Sequence, residues 1–102
     1  METPEGHGRF DVTALAAPGE PVFVLAGRDP HAPHAVEAWA FYRAEAISRG
    51  IKPRSDIAQV REALRCAAAM RLFRTKRTGE ALVPSALAHE TEALLRRLEG
   101  DA

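Results

Sequence analysis

The sequence is poor in the residues that build disulfide scaffolds, membrane spans and common active sites. It has one cysteine, Cys66, among 102 residues. No disulfide can close within the chain, so nothing points to an oxidising compartment. No apolar run approaches the ~18 residues of a membrane-spanning helix, and no membrane association is expected. The opening Met1–Gly6 is acidic and polar. A signal peptide begins basic and continues apolar, so a cytoplasmic location is expected.

Serine is confined to Ser48, Ser55 and Ser85. Ser48 stands at a helix end, and the other two stand where helix caps belong. The chain has no Gly-x-Ser-x-Gly elbow and no Gly-x-x-x-x-Gly-Lys-Ser/Thr phosphate loop. His89-Glu90-Thr91-Glu92-Ala93 opens like a zinc-protease helix, but Ala93 occupies the place of the second histidine. Asp29, His31, His34 and Glu37 are the densest group of potential metal ligands. Pro30 and Pro33 interrupt them, and the remaining nearby histidine, His7, lies in a polar arm. A polar helix entrance accounts for the group better than a fixed ligand set does. Cys66 falls on the apolar side of a helix with no base beside it, the setting of an inert packing residue. The expectation is a non-enzymatic protein with no catalytic residue, no metal and no cofactor.

What is present is an uneven distribution of charge. Fourteen basic and fourteen acidic side chains cancel over the whole chain. Residues 1–51 carry four basic and seven acidic groups, net −3. Residues 52–78 carry eight basic and two acidic, net +6, and residues 79–102 carry two basic and five acidic, net −3. Pairing of the middle with its acidic flanks is one reading of this pattern. A binding surface for phosphate or for an acidic protein is another. The candidate residues for nucleic acid or an acidic partner are Arg61, Arg65, Arg71, Arg74, Lys76 and Arg77. Most are arginine, whose planar fork matches phosphate. Cations at a helix C-terminus are also favoured by its dipole, by about 0.3–1 kcal/mol each, which accounts for part of the cluster at 71–77.

The fold expected is mainly α, a three-helix small domain with a short N-terminal β element. Residues 1–20 read as a flexible arm and 21–102 as one mainly helical domain. Pro21–Ala26 is a short apolar run rich in β-branched and aromatic residues, as in a strand. It needs a mate, from residues 10–15, another chain or a partner peptide. Helices are expected near 33–49, stopped by Gly50, near 56–74 with Asp56 and Gln59 resembling a capping box, and from Pro84-Ser85 to about Glu99. Trp39 is the expected core anchor of the first helix. In the second, Ile57, Val60, Leu64 and Ala67 with Ala63, Cys66, Met70 and Phe73 form a wide apolar face. In the third, Leu87, Thr91, Leu94 and Leu98 form a narrow seam, with Leu87, Leu94 and Leu98 as candidate partner-helix contacts.

Glu20-Pro21-Val22-Phe23-Val24-Leu25, Arg28-Asp29-Pro30, Ala32-Pro33, Val36, Trp39-Ala40 and Glu62–Met70 together resemble a family of small uncharacterised bacterial and phage-like proteins. The resemblance covers about half the chain and carries no known activity, so it assigns no functional residue. It implies an accessory role in a bacterium or its phage. In size and architecture alone, the chain is also similar to small terminase subunits, short helical oligomers that contact DNA and the large packaging subunit. The expected function is therefore a protein-interaction or adaptor module with a protein partner, self-associating as a homo-oligomer. The alternative is a nucleic-acid binder using the basic 54–77 segment, such as a small-terminase-like DNA-packaging subunit.

Overall fold

The computed structural model describes residues 16–22, 24–81 and 83–100. They form three helices: α1, Ala32–Ser48; α2, Ile57–Thr78; and α3, Ala86–Gly100. A single 3-10 turn, Arg54–Asp56, leads into α2. The protein is mainly α, as its periodicity predicts. No strand occurs among the described residues, and the β element expected at 21–26 is absent from residues 21, 22 and 24–26. Phe23 and residues 10–15, the expected mate, lie outside the described residues. None of the described helices is long and apolar enough to cross a membrane.

The helix ends follow from local chemistry. Before α1, the Asp29 carboxylate accepts from the His31 backbone N–H at 2.9 Å. Pro33 lies in the first turn, where its missing N–H costs nothing. Gly50 stops α1 at φ 75°. Its N–H bonds to the Ile47 carbonyl at 3.0 Å, and the Ile51 N–H to the Ala46 carbonyl at 2.9 Å. These two bonds satisfy carbonyls that the helix end leaves free, in the Schellman arrangement. Helix α2 runs a turn past Arg74 and stops at Gly79, φ 74°. For α3, Ser85 Oγ accepts from the Ala88 N–H at 3.3 Å, the expected cap. The capping box expected at Asp56 does not form. Asp56 makes no side-chain cap bond, because its carboxylate accepts from Arg43 Nη1 at 2.8 Å instead.

Helices α2 and α3 both pack on α1. The inward side of α1 presents Ala32, Ala40, Ala44 and Ile47, all buried. The three alanines let neighbouring helices approach closely. Ala40, Ala44, Ile47, Val60 and Leu95 form the centre of the core. Ile57, Ala63, Leu64, Leu94 and Leu98 pack around them, partly buried. The molecule is only 20 Å thick, about two helix diameters, so every helix keeps a solvent face.

This geometry corrects two expectations. Trp39 is not a core anchor: the buried side of α1 runs through Glu37, Ala40, Ala44 and Ile47, and the indole, off that line, stands exposed. Its cover is the Arg43 guanidinium, 5.2 Å from the ring centroid. The buried face of α2 is also narrower than expected. Val60 and Ala67 are fully covered, whereas Ile57, Ala63, Leu64, Cys66 and Met70 are half-buried and Phe73 is exposed. One neighbouring helix covers only part of a helix circumference. The remaining cover comes from the chain near Gly27, where a Cβ would lie 3.6 Å from Met70 Cγ and 3.8 Å from Phe73 Cδ1.

Candidate interaction surface

The six basic residues singled out from the sequence lie on one helix but not on one surface. Arg61 faces α3, where it bonds Glu99 and lies 3.8 Å from Glu92. The hydrogen bond from Arg61 holds the Glu99 carboxyl below the usual carboxylate range, and Glu99 in turn raises the Arg61 guanidinium. Arg54 joins the same seam by donating to the Leu98 carbonyl. These contacts tie the start of α2 to the end of α3.

Arg71 turns inward and is 8% exposed. Its Nη2 lies 2.5 Å from Oε2 of Glu37, which is 0% exposed. Oε1 of Glu37 accepts from the Ser85 N–H at 3.4 Å, and the half-exposed His34 ring stands 4.0 Å away. Glu37 thus joins α1, α2 and the segment before α3 at one buried point. Arg74 lies one turn further along α2. It donates to the Arg28 carbonyl at 3.1 Å and to the Glu80 carboxylate at 3.2 Å. Arg61, Arg71 and Arg74 therefore hold the fold together.

The outward side of α2 is different. Arg65, Ala69, Leu72 and Lys76 follow one another at spacings of four, three and four, with Ala68 beside them, and all are exposed. Leu72 is 55% exposed and Phe73 46%. Arg77 lies over the Phe73 ring, 5.5 Å from its centroid. Among the described residues Arg65 pairs only with Glu62, three residues back on the same helix, at 3.0 Å. Lys76 has no ion pair among the described residues. An apolar strip flanked by cations results.

The leucine seam is partly used inside the fold. Leu94 and Leu98 pack against the core, and Leu87 is half-buried. The face of α3 that is most covered is Ala88, Thr91 and Leu95. Leu95, absent from the expected seam, is the largest fully buried side chain. Of the metal-ligand candidates, Asp29 caps a turn and Glu37 is engaged with Arg71. No group of three or more His, Cys, Asp or Glu suited to a metal occurs among the described residues. His7 lies outside them. Burial is the main cause that raises the Cys66 thiol above its ordinary value, with the Glu62 charge adding to it.

The Glu37–Arg71 pair had one sequence signal, a carboxylate on a helix face whose other buried positions are apolar. Its partner was not legible, because nothing local relates residue 37 to residue 71. No family model, curated protein or solved structure matches the chain.

Proposed function

We propose that the protein is a small non-enzymatic interaction module that captures an acidic, amphipathic segment of a protein partner on the outward side of α2. The observation that carries this reading is the exposure of Leu72 and Phe73 among Arg65, Lys76 and Arg77. Both side chains are already about half covered, so burying the remainder rewards an apolar partner surface by roughly 1–1.5 kcal/mol each. Cations at the rim select for acidic groups and speed their encounter. A phosphate backbone gains little from Leu72. Nucleic-acid binding through the 54–77 segment is the alternative, and it has fewer free cations at its disposal, since Arg54, Arg61, Arg71 and Arg74 are engaged within the fold. The resemblance to small bacterial and phage-like proteins supports an accessory role.

The test is selection from a displayed library of acidic helical peptides, followed by binding of a selected peptide to Leu72→Ser and Lys76→Glu variants. Both variants are expected to weaken capture by at least about tenfold. Peptides that bind both variants as tightly as they bind the parent protein would overturn the reading. Retention of double-stranded DNA that falls steeply with salt and ignores Leu72→Ser would replace it with the nucleic-acid alternative.

A further inference from the structure

The charges of the chain pair off and leave a remainder. In residues 52–78, Arg54, Arg61, Arg71 and Arg74 are engaged within the fold, and Lys52 lies in the connector before α2. Arg65, Lys76 and Arg77 remain on the outward side of α2, around Leu72 and Phe73. In residues 1–51, each described acid has a partner. Glu20 accepts from the Ala17 N–H at 2.8 Å and Asp29 from the His31 N–H at 2.9 Å. Glu37 meets Arg71, and Glu45 lies 3.7 Å from Arg49. The acids left over are Glu2, Glu5 and Asp11. They belong to residues 1–15, outside the described residues, whose sequence also holds Phe10, Val12 and Leu15.

We infer that residues 1–15 occupy the outward side of α2 in the same chain. Phe10, Val12 and Leu15 cover Leu72 and Phe73, the three acids meet Arg65, Lys76 and Arg77, and a partner must displace them. The inference rests on the reading of this face as a site for an acidic amphipathic segment, and adds what controls it.

Three observations select this occupant. The first is charge: Glu2, Glu5 and Asp11 stand against Arg9 alone among the Lys and Arg residues of this segment, opposite in sign to the face. The acidic stretch after the basic middle is built into the fold instead, with Glu80 on Arg74 and with Glu92 and Glu99 on Arg61. The second is the place where the chain leaves the helices. Gly27 lies at the edge of this face, where an added Cβ would stand 3.6 Å from Met70 Cγ and 3.8 Å from Phe73 Cδ1. The Arg28 carbonyl is fixed there by Arg74 at 3.1 Å. The third is length. The dozen residues from Gly27 back to Leu15 reach up to ~40 Å when extended, and the face from Arg65 to Arg77 is about 18 Å long. Attachment this short gives the segment an effective concentration of about 1 mM at the face. A contact with a dissociation constant of about 100 μM between separate molecules is then roughly nine-tenths closed within one chain, and a competing partner sees its affinity reduced about tenfold.

The experiment uses the full chain and a fluorescently labelled acidic peptide selected on the α2 face. Phe10→Ser combined with Asp11→Lys is expected to tighten its capture by about tenfold at unchanged helical content. Glu2→Lys with Glu5→Lys, which keeps Phe10, is expected to tighten it by about threefold. A labelled peptide of residues 1–15, added to the Phe10→Ser, Asp11→Lys protein, is expected to bind at about 100 μM and at least tenfold more weakly once Leu72→Ser is introduced. Capture that depends on Leu72 and Lys76 but has the parent affinity in both N-terminal variants would overturn the inference and leave the proposed function standing. Binding of the 1–15 peptide through Leu72, with no foreign peptide captured there, would do the reverse. A parent mass that doubles with concentration, and does not in the Phe10→Ser, Asp11→Lys protein, would place the segment on a second copy and overturn the contact within one chain.

Discussion

Removing the carboxylate at position 37 is expected to be the most damaging single change in this chain. Glu37 is wholly buried and Arg71 nearly so, with Oε2 and Nη2 2.5 Å apart. The pair is incompletely satisfied: Arg71 Nη1 is buried without a hydrogen-bond partner among the described residues. Glu37→Ala leaves the guanidinium in the interior with nothing opposite it. Breaking a buried pair from one side costs about 3–5 kcal/mol. A domain of this length has roughly 5–15 kcal/mol to lose. Urea denaturation followed by far-UV circular dichroism is expected to show that loss at unchanged m-value. In a domain of about 100 residues it corresponds to a fall in Tm of roughly 12–30 °C. Glu37→Leu combined with Arg71→Met removes both charges and keeps the volume. It is expected to be near neutral or more stable than the parent, because the desolvation cost disappears with the attraction. The reasoning is refuted if Glu37→Ala and Arg71→Ala each cost under about 1 kcal/mol, the range of an exposed pair. It is equally refuted if the double replacement costs the sum of the two.

Other outcomes follow from single features of the fold. Leu95→Ala is expected to destabilise by about 2–5 kcal/mol in the same denaturation assay, since it empties the largest buried site. Gly79→Ala is expected to cost about 1–2 kcal/mol through backbone strain alone, because φ is 74° and nothing lies within 4 Å of an added Cβ. The lowered Glu99 carboxyl contributes stability that is complete above its unfolded value of about 4.3. That contribution is lost as pH falls through the lower folded value, so Glu99→Gln is expected to shallow the acid limb of a plot of Tm against pH. With its thiol raised by burial, Cys66 is expected to react with iodoacetamide at neutral pH more slowly in the folded protein than in urea. Equal rates would contradict its burial.

Local features of the fold were legible because their causes are local. Gly50 ends α1 where expected, through a left-handed backbone that glycine adopts freely; Gly79 ends α2 in the same way, a turn beyond the end expected at 74. Ser85 begins α3 because its hydroxyl reaches an N–H three residues on. The candidate surface was legible only in part. The excess of cations at 54–77 is plain in the composition, but a charge count does not say which side chains reach an acid elsewhere in the chain. Arg65, Lys76 and Arg77 keep an outward setting, while Arg61, Arg71 and Arg74 are drawn into contacts with Glu99, Glu37 and Glu80.

The sequence alone determined three helices, their approximate ends and the concentration of positive charge on the second, since periodicity, caps and composition are properties of neighbouring residues. Tertiary structure decided which faces are buried. It set Glu37, Ala40, Ala44 and Ile47 of α1 against two helices, which left Trp39, off that line, in solvent. It also placed Arg71 opposite Glu37, converting part of an apparent binding surface into internal support. Both outcomes depend on which distant helices meet, and the short-range preferences of the chain leave that choice to packing.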